Sequence, residues 1–443
     1  MMTVNLVTIQ GDTILQTKPP QQAGKQGLLL PGKYKDHSMN IIVDVDLLSK
    51  HTLLIGGTGC GKTNLFYYYI QQIKAKMGKN DVMLIFDTKG DFFSKFYSSG
   101  DVVISNSKIY SKYVDKWNIY KEILVDGWDD DDVFNNAFEI THSLFKEAIE
   151  KTSQQFFPNA ARDILSAILV AQIRLGKDDM EFRKRFFNNK ALRQYLDSLS
   201  VDKLKKLLNP KVFPDLSSVL MYLGDGMNEQ ALGVLAELQN VSHQIFIGEF
   251  AQDGRYSVRN FVREKSAKTL FIEYDLSMGD TLAPIYRLFF DLGLKEAMGR
   301  NKSVGNVYLI CDEFKLLPNL KHIEDGVNFG RGLGVKIIAG LQSIEQLYEV
   351  YGESRGKNIA AGFSSIIAFK SNDTTTREFV SNLYGKNIVL EQYRASNNTL
   401  NEDKREGKTV EDWDLNDLNV GEAIVGLAYE KPFRFQFDMF GRK

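Results

Sequence analysis

The chain has 443 residues and a formal net charge of −1 at pH 7; 43% of its residues are hydrophobic and 25% are charged. This composition is that of an ordinary globular protein and excludes a disordered or fibrous chain. The near-zero charge excludes a global attraction to nucleic acid or to an anionic membrane, so any DNA-binding surface has to be local. The two cysteines, Cys60 and Cys311, cannot form a disulfide framework, and a reducing cytosol is the simplest setting.

The sequence contains no run of 18 apolar residues, and its first residues lack the basic segment and apolar core of a secretory signal. We therefore expect a cytoplasmic protein without a membrane span of its own.

Residues 1–50 combine short apolar patches, VNLVTI and MNIIVDVDLL, with a stretch rich in Pro, Gly and Gln. Patches of this length bounded by turn residues are typical of short strands. We predict a small β layer that leads into the core.

The segment 51–66, HTLLIGGTGCGKTNLF, carries the strongest signal in the sequence. Residues 52–55 predict a short buried strand, residues 56–63 match the pattern G-x-x-x-x-G-K-[ST], and the residues from Asn64 onward predict a helix. A strand, a glycine-rich loop and a helix in this order indicate a P-loop, which binds nucleotide phosphates. The alternative is a glycine turn beside an ordinary surface lysine, and the flanking elements favour the P-loop.

The residues of this loop have separate predicted roles. The glycines let successive backbone N–H groups point at a phosphate, at the positive end of the following helix. Lys62 is expected to neutralise the β and γ phosphates of ATP, and the Thr63 hydroxyl is expected to bind Mg²⁺. The predicted nucleotide-binding residues are Gly56, Gly57, Thr58, Gly59, Cys60, Gly61, Lys62, Thr63 and Asn64.

Further strands are predicted at 81–86 and 102–105. The first ends at Asp87, and ligands bind at the carboxyl ends of strands in open α/β sheets. Asp87 or Asp91 is therefore a candidate contact to water or Mg²⁺, while Asp91 is equally compatible with a helix N-cap.

The pattern changes at about residue 127 and becomes helical as far as about residue 247. Apolar residues recur there at spacings of three and four, which predicts an all-helical insertion. The acidic run 129–132 indicates a solvated loop and the start of a helix. Basic residues recur between 177 and 211, interleaved with aromatic residues. This stretch is compatible with a nucleic-acid surface, although a solvated helical face over an aromatic core is favoured.

The α/β pattern returns with a predicted strand at 268–274 and a helix at 282–298. Residues 306–310, NVYLI, then lead to Cys311, Asp312 and Glu313. An apolar strand that ends in an acidic pair is the Walker B pattern, in which Asp312 holds Mg²⁺ through water and Glu313 is the general base. The helical insertion explains how two motifs separated by roughly 250 residues can be neighbours in one sheet.

Two residues after the Walker B pattern are further candidates. Gln342 follows a predicted strand at 335–339, where it can sense the γ phosphate; a plain polar turn is the alternative. Arg331 lies in a glycine-flanked turn after a helix predicted at 321–332. It can act as an arginine finger in the site of a neighbouring subunit, or it can satisfy the dipole at the end of its own helix.

The rest of the chain predicts a strand at 364–370 and a helix at 373–384, with Asp373 as its cap. This helix carries Arg377, a second candidate finger. The final residues contain two alternating runs around Lys431 and Pro432, and we expect them to pair at a sheet edge.

The motifs LLIGGTGCGKTNLF, MLIFDTKGDFF, VYLICDEFKLLPNL and GRGLGVKIIAGLQSIEQLYEVYG resemble the type IV secretion coupling proteins of the TraG/TraD kind. Those proteins are hexameric ATPases that bring DNA and a relaxase to a secretion channel. The resemblance covers most of the chain from about His51 and includes the helical insertion. It implies an α/β fold with a RecA-like P-loop NTPase core, a mostly parallel sheet flanked by helices, and an inserted all-helical domain.

The resemblance also assigns roles and partners. It implies that Lys62, Thr63, Asp312, Glu313 and Gln342 handle ATP and Mg²⁺, and that Arg331 is the finger between subunits. It implies an ATP-hydrolysing DNA translocase that recruits a relaxase or secretion-channel proteins. We expect a homo-hexamer, with a monomer as the alternative in the absence of DNA and nucleotide.

The predicted domains are 1–126, with the β layer and the P-loop; 127–250, the helical domain that recognises substrate; and 251–443, with Walker B and the finger. Members of this family usually begin with transmembrane helices, which this sequence lacks, so we expect at most a peripheral position at the inner face of the cell membrane. Two alternatives stay open: a DNA translocase of the FtsK/HerA kind in DNA processing or defence, and a nucleotide-gated receptor that docks a protein substrate.

Overall fold

The protein is described from a computed structural model, which covers residues 2–224, 228–299, 305–394 and 400–441. The strands are β1 Met2–Gln10, β2 Leu28–Tyr34, β3 His37–Val43, β4 Thr52–Ile55, β5 Val82–Asp87, β6 Val102–Ser105, β7 Thr269–Glu273, β8 Val307–Cys311, β9 Val335–Leu341, β10 Ser365–Phe369, β11 Lys386–Arg394, β12 Leu400–Lys408, β13 Glu422–Gly426 and β14 Phe433–Phe437.

The α-helices are α1 Val45–Ser49, α2 Lys62–Lys76, α3 Asp91–Phe96, α4 Ile119–Ile123, α5 Asp130–Lys151, α6 Phe156–Gly176, α7 Met180–Phe186, α8 Asn189–Asp197, α9 Val201–Leu207, α10 Glu229–Ile245, α11 Val258–Glu264, α12 Gly279–Ala297, α13 Ile323–Phe329, α14 Ile344–Tyr351, α15 Glu353–Ala361, α16 Thr374–Leu383 and α17 Asp412–Asn416. Within the described residues, none of these helices combines the length and apolar character needed to cross a membrane.

The chain folds into two compact units. Unit 1 consists of residues 1–83 and 304–443, and unit 2 consists of residues 84–303. Unit 1 is therefore discontinuous in sequence, and the predicted boundaries at 127 and 250 both lie inside unit 2.

Unit 1 is organised around a sheet in which the strands follow the order β3-β2-β14-β13-β10-β4-β9-β8. Strands β10, β4, β9 and β8 are parallel to one another. Each of these four strands is buried along its whole length, as expected for strands that are covered on both faces. The apolar runs in the sequence therefore predict these strands correctly, with small changes at their ends.

A buried histidine helps to fix the register of the central strands. His51 precedes β4, and its Nδ1 accepts a hydrogen bond from the backbone N–H of Ile337 in β9 at 3.1 Å. Burial, followed by the positive charge of Lys336, lowers the pKa of His51 to about 4. The ring is therefore neutral at pH 7 and can accept this bond.

The antiparallel part of this sheet combines strands from the N-terminal and C-terminal parts of the chain. β13 and β14 form the predicted pair around Pro432, and β14 pairs with β2, which pairs with β3. The predicted N-terminal β layer is thus confirmed for β2 and β3. β1 differs, because it joins a separate three-stranded sheet in the order β1-β11-β12. The sequence of β12, LNEDKREGK, has no apolar alternation, which explains why the sequence analysis did not predict this sheet.

The helical insertion is confirmed in unit 2, where the described residues between 127 and 250 contain helices and no strand. α6 packs against α5 and α10 and has the largest buried face of the three. The acidic run starts a helix as predicted, because the Asp129 carboxylate caps α5 by accepting hydrogen bonds from the N–H groups of Asp131 and Asp132. Unit 2 also contains β6, β7 and most of β5.

A buried carboxylate anchors α4 to the start of α11 in unit 2. Glu122 is fully buried and accepts hydrogen bonds from the Trp117 indole at 3.0 Å, the Ser257 hydroxyl at 2.8 Å and the backbone N–H of Val258 at 2.5 Å. These donors replace the water that burial removes, which is the condition for a stable buried carboxylate.

A pair of carboxyl groups lies at the ends of β5 and β7. The Asp87 carboxylate accepts four backbone hydrogen bonds, from Lys89, Gly90, Phe92 and Phe93, and so holds the turn into α3. Asp91 is the first residue of α3, and Gly90 occupies the cap position. Of the two alternatives for Asp91, the helix N-cap is therefore wrong, because the Asp87 side chain reaches across the turn and binds the free N–H groups itself.

Glu273, at the end of β7, is the partner of Asp87 in this pair. Burial, followed by the negative charge of Asp87, raises the pKa of Glu273 to about 9. The folded protein therefore holds a proton on Glu273 between about pH 4.5 and pH 9, where the unfolded chain does not, and the free energy of unfolding must fall as the pH rises through this range.

We predict that Glu273→Gln removes this part of the pH dependence, since glutamine carries no ionisable proton. The wild-type protein should lose up to about 1.4 kcal/mol of stability per pH unit more than the variant over part of this range. Urea unfolding at pH 6 to 9 measures this difference. Glu264→Gln, at an exposed glutamate, is the control and should keep the wild-type slope; an unchanged slope in Glu273→Gln would contradict the prediction.

Candidate nucleotide-binding site

The glycine-rich loop between β4 and α2 has a backbone that only glycine adopts readily. Gly56 has a φ of 150° and Gly61 a φ of 117°, both outside the range that other residues favour. A Cβ atom on Gly56 would lie 2.8 Å from the Cβ of Phe369 in β10. The loop therefore curls closely over the end of the neighbouring strand.

The ends of neighbouring strands and a loop before β13 hold this loop in position. The N–H of Gly57 donates to the carbonyl of Lys370 at 2.8 Å, and the N–H of Gly56 donates to the carbonyl of Leu341 at 3.1 Å. The N–H of Gly421 donates to the carbonyl of Cys60 at 2.8 Å. These bonds fix the loop from three sides. The loop is therefore largely pre-organised to receive a phosphate.

Lys62 is the first residue of α2 and is buried. Its Nζ donates to the carbonyl oxygens of Gly56 at 2.5 Å and Gly57 at 3.0 Å. The ammonium group thus lies inside the curl of the loop. A phosphate bound by the loop would meet this charge directly, as the sequence analysis predicts for Lys62.

The P-loop and the Walker B strand meet through one hydrogen bond. The Thr63 hydroxyl donates to Oδ2 of Asp312 at 2.8 Å, although the two residues are 249 positions apart. Asp312 directly follows β8, and β9 lies between β8 and β4 in the sheet. A hydroxyl and a carboxylate at this distance offer the oxygen ligands that Mg²⁺ prefers. The structure therefore brings together the two predicted metal ligands.

Glu313 and Gln342 form a second link to the loop. Nε2 of Gln342 donates to both carboxylate oxygens of Glu313, at 3.0 and 3.1 Å. Oε1 of Gln342 in turn accepts a hydrogen bond from the Thr58 hydroxyl at 3.3 Å. The two predicted catalytic residues therefore contact each other and the P-loop. The Gln342 amide therefore connects the loop to the end of β9.

A cavity of about 360 Å³ opens beside the loop. Its wall includes residues 57–60, the turn after β9 with Gln342 and Gln346, and residues 370–373 after β10. The volume is within the range of small-molecule sites. Residues 370–373 are a wall of the site that was not among the predicted site residues. The sequence signal for them was the strand predicted at 364–370, and the structure shows that this strand is parallel to β4, which brings its carboxyl end beside the P-loop.

Asn64 has a different setting from the other predicted nucleotide-binding residues. Its amide donates to the carbonyl of Asp438 at 2.9 Å and accepts from the N–H of Phe440 at 2.7 Å. The Phe440 ring packs against Tyr67 and Tyr68, also on α2, with ring centroids 5.5 and 5.1 Å apart. Asn64 therefore clamps the C-terminal segment onto the P-loop helix, a long-range contact that no local pattern indicates.

Arg331 lies away from the P-loop of its own chain. It is in a 3₁₀ turn of residues Gly330–Leu333 that precedes β9, whereas the P-loop cavity is at the other end of that strand, roughly 20 Å away. Its guanidinium donates to Asp46 at 2.9 Å, and both side chains are about half exposed. Exposed ion pairs of this kind contribute little to stability.

Arg377, the other finger candidate, is held within its own chain. Its Nε donates to Asp412 at 2.7 Å, and Nη1 donates to the carbonyl of Asn372 at 2.8 Å. The side chain is mostly buried. Of the two arginines, Arg331 is thus the one held less firmly within its own chain.

Cys60 does not add a reactive group to the loop. Its side chain is buried, and burial raises the pKa of the thiol. The thiol is protonated at neutral pH, and it is the thiolate that reacts. We infer that the backbone of Cys60, through its carbonyl, matters more than its side chain.

We predict that Asn64→Ala releases the C-terminal segment, because it removes two hydrogen bonds to residues 438–440. The amide of Phe440 should exchange with deuterium roughly tenfold faster, equivalent to about 1.4 kcal/mol. Hydrogen exchange with mass spectrometry measures this rate.

The matched control is Gln72→Ala on the same helix. The Gln72 amide binds the backbone N–H and carbonyl of Leu29 in β2, both at 2.8 Å. This variant should speed exchange at Leu29 and leave Phe440 unchanged. Equal effects of both variants at Phe440 would contradict a specific clamp.

The chain is similar to known proteins over most of its length. A family model of the type IV secretion-system coupling protein DNA-binding domain matches residues 39–416. The chain is also similar to coupling protein TraD of Escherichia coli strain K12, with 21% identity over 369 residues, which make up 81% of this chain and 47% of TraD. The chain thus spans about half the length of this curated relative.

Among solved structures, the chain is similar to the bacterial conjugative coupling protein TrwBΔN70 in an unbound form, with a TM-score of 0.72, 20% identity, and coverage of 99% of this chain and 93% of that one. The plasmid coupling protein TrwB in complex with ADP and Mg²⁺ matches with a TM-score of 0.69, 19% identity, and coverage of 100% and 95%. VirB4 of Thermoanaerobacter pseudethanolicus matches with a TM-score of 0.54, 13% identity, and coverage of 93% and 96%.

These structural similarities confirm the predicted fold, a RecA-like P-loop core with helices flanking a mostly parallel sheet and an inserted helical region. The family match extends over residues 39–416, far more than half of the sequence. The chain therefore belongs to the family of type IV secretion-system coupling proteins defined by this DNA-binding domain.

Proposed function

We propose that this protein is an ATP-hydrolysing DNA translocase that acts as a coupling protein. It would work as a homo-hexamer and move DNA, with a relaxase or another protein substrate, toward a type IV secretion channel. Membership of a family defined by a DNA-binding domain supports the DNA substrate. The nucleotide-bound form of TrwB among the similar structures supports ATP as the second substrate.

One observation carries the proposal: the groups needed for hydrolysis meet at the P-loop. Lys62 lies inside the loop, Thr63 contacts Asp312, and Gln342 joins Glu313 to Thr58. A structural loop would need none of these links between distant parts of the sequence. Their convergence favours catalysis over simple binding.

The residues present suit a Mg²⁺–nucleotide complex. The Thr63 hydroxyl and the Asp312 carboxylate would hold Mg²⁺, and the loop N–H groups with Lys62 would hold the phosphates. When bound, Mg²⁺ supplies charge neutralisation for the phosphates. Glu313 would accept a proton from the attacking water, and Gln342 would hold its carboxylate in place.

Arg331 would complete the site of a neighbouring subunit. Its distance from its own P-loop argues against a direct role in that site, and its ion pair with Asp46 is exposed and weak. In a ring, the end of β9 that carries Arg331 would face the P-loop end of the next subunit. This arrangement would make hydrolysis depend on assembly.

The remaining parts of the proposal concern the domains and the location. Residues 127–250 would form the domain that recognises the protein substrate, and residues 1–126 and 251–443 would form the motor. The protein would work at the cytoplasmic face of the cell membrane, where the secretion channel opens. The helices of the insertion offer a surface separate from the nucleotide site for this task.

We predict that Glu313→Gln lowers the rate of ATP hydrolysis by about 10²- to 10⁴-fold, because glutamine cannot accept the proton from water. ATP binding should stay within a few-fold of wild type, since Glu313 is not among the phosphate-binding groups. Steady-state hydrolysis with and without DNA, together with nucleotide binding, measures both quantities.

The control is Glu345→Gln, at an exposed glutamate on α14 near the site, which should hydrolyse ATP like wild type. Equal negligible rates for the wild-type protein with and without DNA, in a preparation shown to be hexameric, would overturn the motor proposal.

We predict that the wild-type rate per subunit rises steeply with protein concentration in the presence of DNA, and that Arg331→Ala abolishes the rise. An arginine finger accounts for about 10³-fold or more in rate. Asp46→Ala is the matched control, because it breaks the same ion pair and keeps the arginine. If the rate responds to protein concentration in the same way in both variants, Arg331 acts only through its ion pair with Asp46 and the prediction is wrong.

A further inference from the structure

A second cavity, of about 450 Å³, opens in unit 2 and belongs to neither the P-loop nor the Walker B strand. Its walls come from α4, from α7 with the turn that follows it, and from the loop before α11. Two kinds of side chain dominate the lining. The aromatic residues are Tyr120, Trp128 and Phe187, and the cationic residues are Lys121, Arg183, Lys184 and Arg255.

The aromatic side chains form one stacked group. The rings of Tyr120 and Phe187 are nearly parallel, at an angle of 6°, with centroids 4.9 Å apart. Trp128 continues the stack beside Phe187 at 6.2 Å. The guanidinium of Arg183 lies 5.4 Å from the Trp128 ring centroid, in the geometry of a cation–π contact. Planar groups of this kind are what a nucleobase packs against.

The cations around this group are largely uncompensated. Lys184 pairs with Glu181 at 2.8 Å. Among the described residues, Lys121, Arg183 and Arg255 have no carboxylate within ion-pair distance, and Asp253 is the only acidic residue in the lining. Three unpaired positive charges at the mouth of one cavity favour an anionic ligand with several charges.

The cavity is also held rigidly. Asn118 is buried, and its amide donates to the carbonyl of Phe187 at 2.8 Å and to the carbonyl of Gly254 at 2.7 Å. These two bonds join opposite walls. The carbonyl of Trp128 accepts a hydrogen bond from Lys177 at 3.1 Å. A site with fixed walls loses little entropy when a ligand binds.

We propose that this cavity, which we call the α4–α7 pocket, binds a segment of single-stranded DNA. The cations would contact the phosphates, and a base would enter beside Trp128 and Phe187. A duplex does not fit this role, because its bases are stacked inside the helix and cannot reach an enclosed aromatic group. The inference rests on the proposed function and adds a place, apart from the motor site, where the strand is held.

The test measures binding of a fluorescent 20-nucleotide oligo(dT), and of a duplex of the same length, to the full chain by anisotropy. The variant Lys121→Glu/Arg255→Glu changes two exposed cations. It should bind the single strand at least tenfold more weakly. The slope of log K against log salt concentration should also become shallower by about 1.4, the contribution of two phosphate contacts. Lys206→Glu/Lys211→Glu, an equal charge change at exposed residues outside the pocket, should bind like wild type.

A second pair of variants tests the aromatic group. Trp128→Ala should weaken binding of the single strand by roughly five- to tenfold, because it removes the ring on which a base stacks. Trp128→Phe should restore most of the binding, since it keeps an aromatic face. Thermal unfolding of each variant shows whether it is folded. If Lys121→Glu/Arg255→Glu does not fold, Arg183→Ala takes its place; it should weaken binding of the single strand and lower the salt slope by about 0.7, the contribution of one phosphate contact.

Three outcomes would overturn the inference: unchanged oligo(dT) binding in the pocket variants, an equal loss in the Lys206/Lys211 control, or competition by a poly-glutamate peptide as strong as that by unlabelled oligo(dT). None of them depends on ATP hydrolysis. If the wild-type protein hydrolyses ATP in response to DNA while the pocket variants bind DNA normally, only this inference fails. If no protein hydrolyses ATP but the pocket variants selectively lose the single strand, only the motor proposal fails.

Discussion

The hydrogen bond between the Thr63 hydroxyl and Asp312 is the contact on which the site depends. It joins the two halves of unit 1, which the sequence separates by all of unit 2. The bond can form only because β4, β9 and β8 are parallel neighbours that end at one edge of the sheet. The strand order thus allows the P-loop after β4 and the carboxylate after β8 to meet, with only β9 between the two strands.

Sequence patterns predict the central part of this arrangement well. The P-loop, the Walker B pair and the parallel strands are each marked by a local signal: glycines at fixed spacing, an acidic pair after an apolar run, or a run of about five apolar residues bounded by turns. Gln342 and Glu313 were predicted separately, and the structure places them in contact. Such success is expected where the local sequence and the tertiary position agree.

The features that were missed share a different physical origin. The clamp of Asn64 on the C-terminal segment joins residues about 375 positions apart, and an asparagine after a P-loop threonine gives no hint of such a partner. β12 is a strand because it pairs with β11, even though its own residues are charged and favour no strand. The Asp87 carboxylate, and not Asp91, binds the free N–H groups at the start of α3, because the turn brings that carboxylate close to them. Each depends on pairing or geometry that sequence spacing does not encode.

The discontinuity of unit 1 has a consequence for how the protein is made. When β4 leaves the ribosome, neither of its sheet neighbours, β9 and β10, has been synthesised. About 280 residues must still be translated, which takes roughly 15–60 s at ordinary elongation rates. During that time a strand that is fully buried in the folded protein has no partner, and it is exposed to wrong pairing with other chains. The nascent chain is therefore a natural client for chaperones, and slow or interrupted translation between residues 84 and 303 should cost more yield than the same delay after β10.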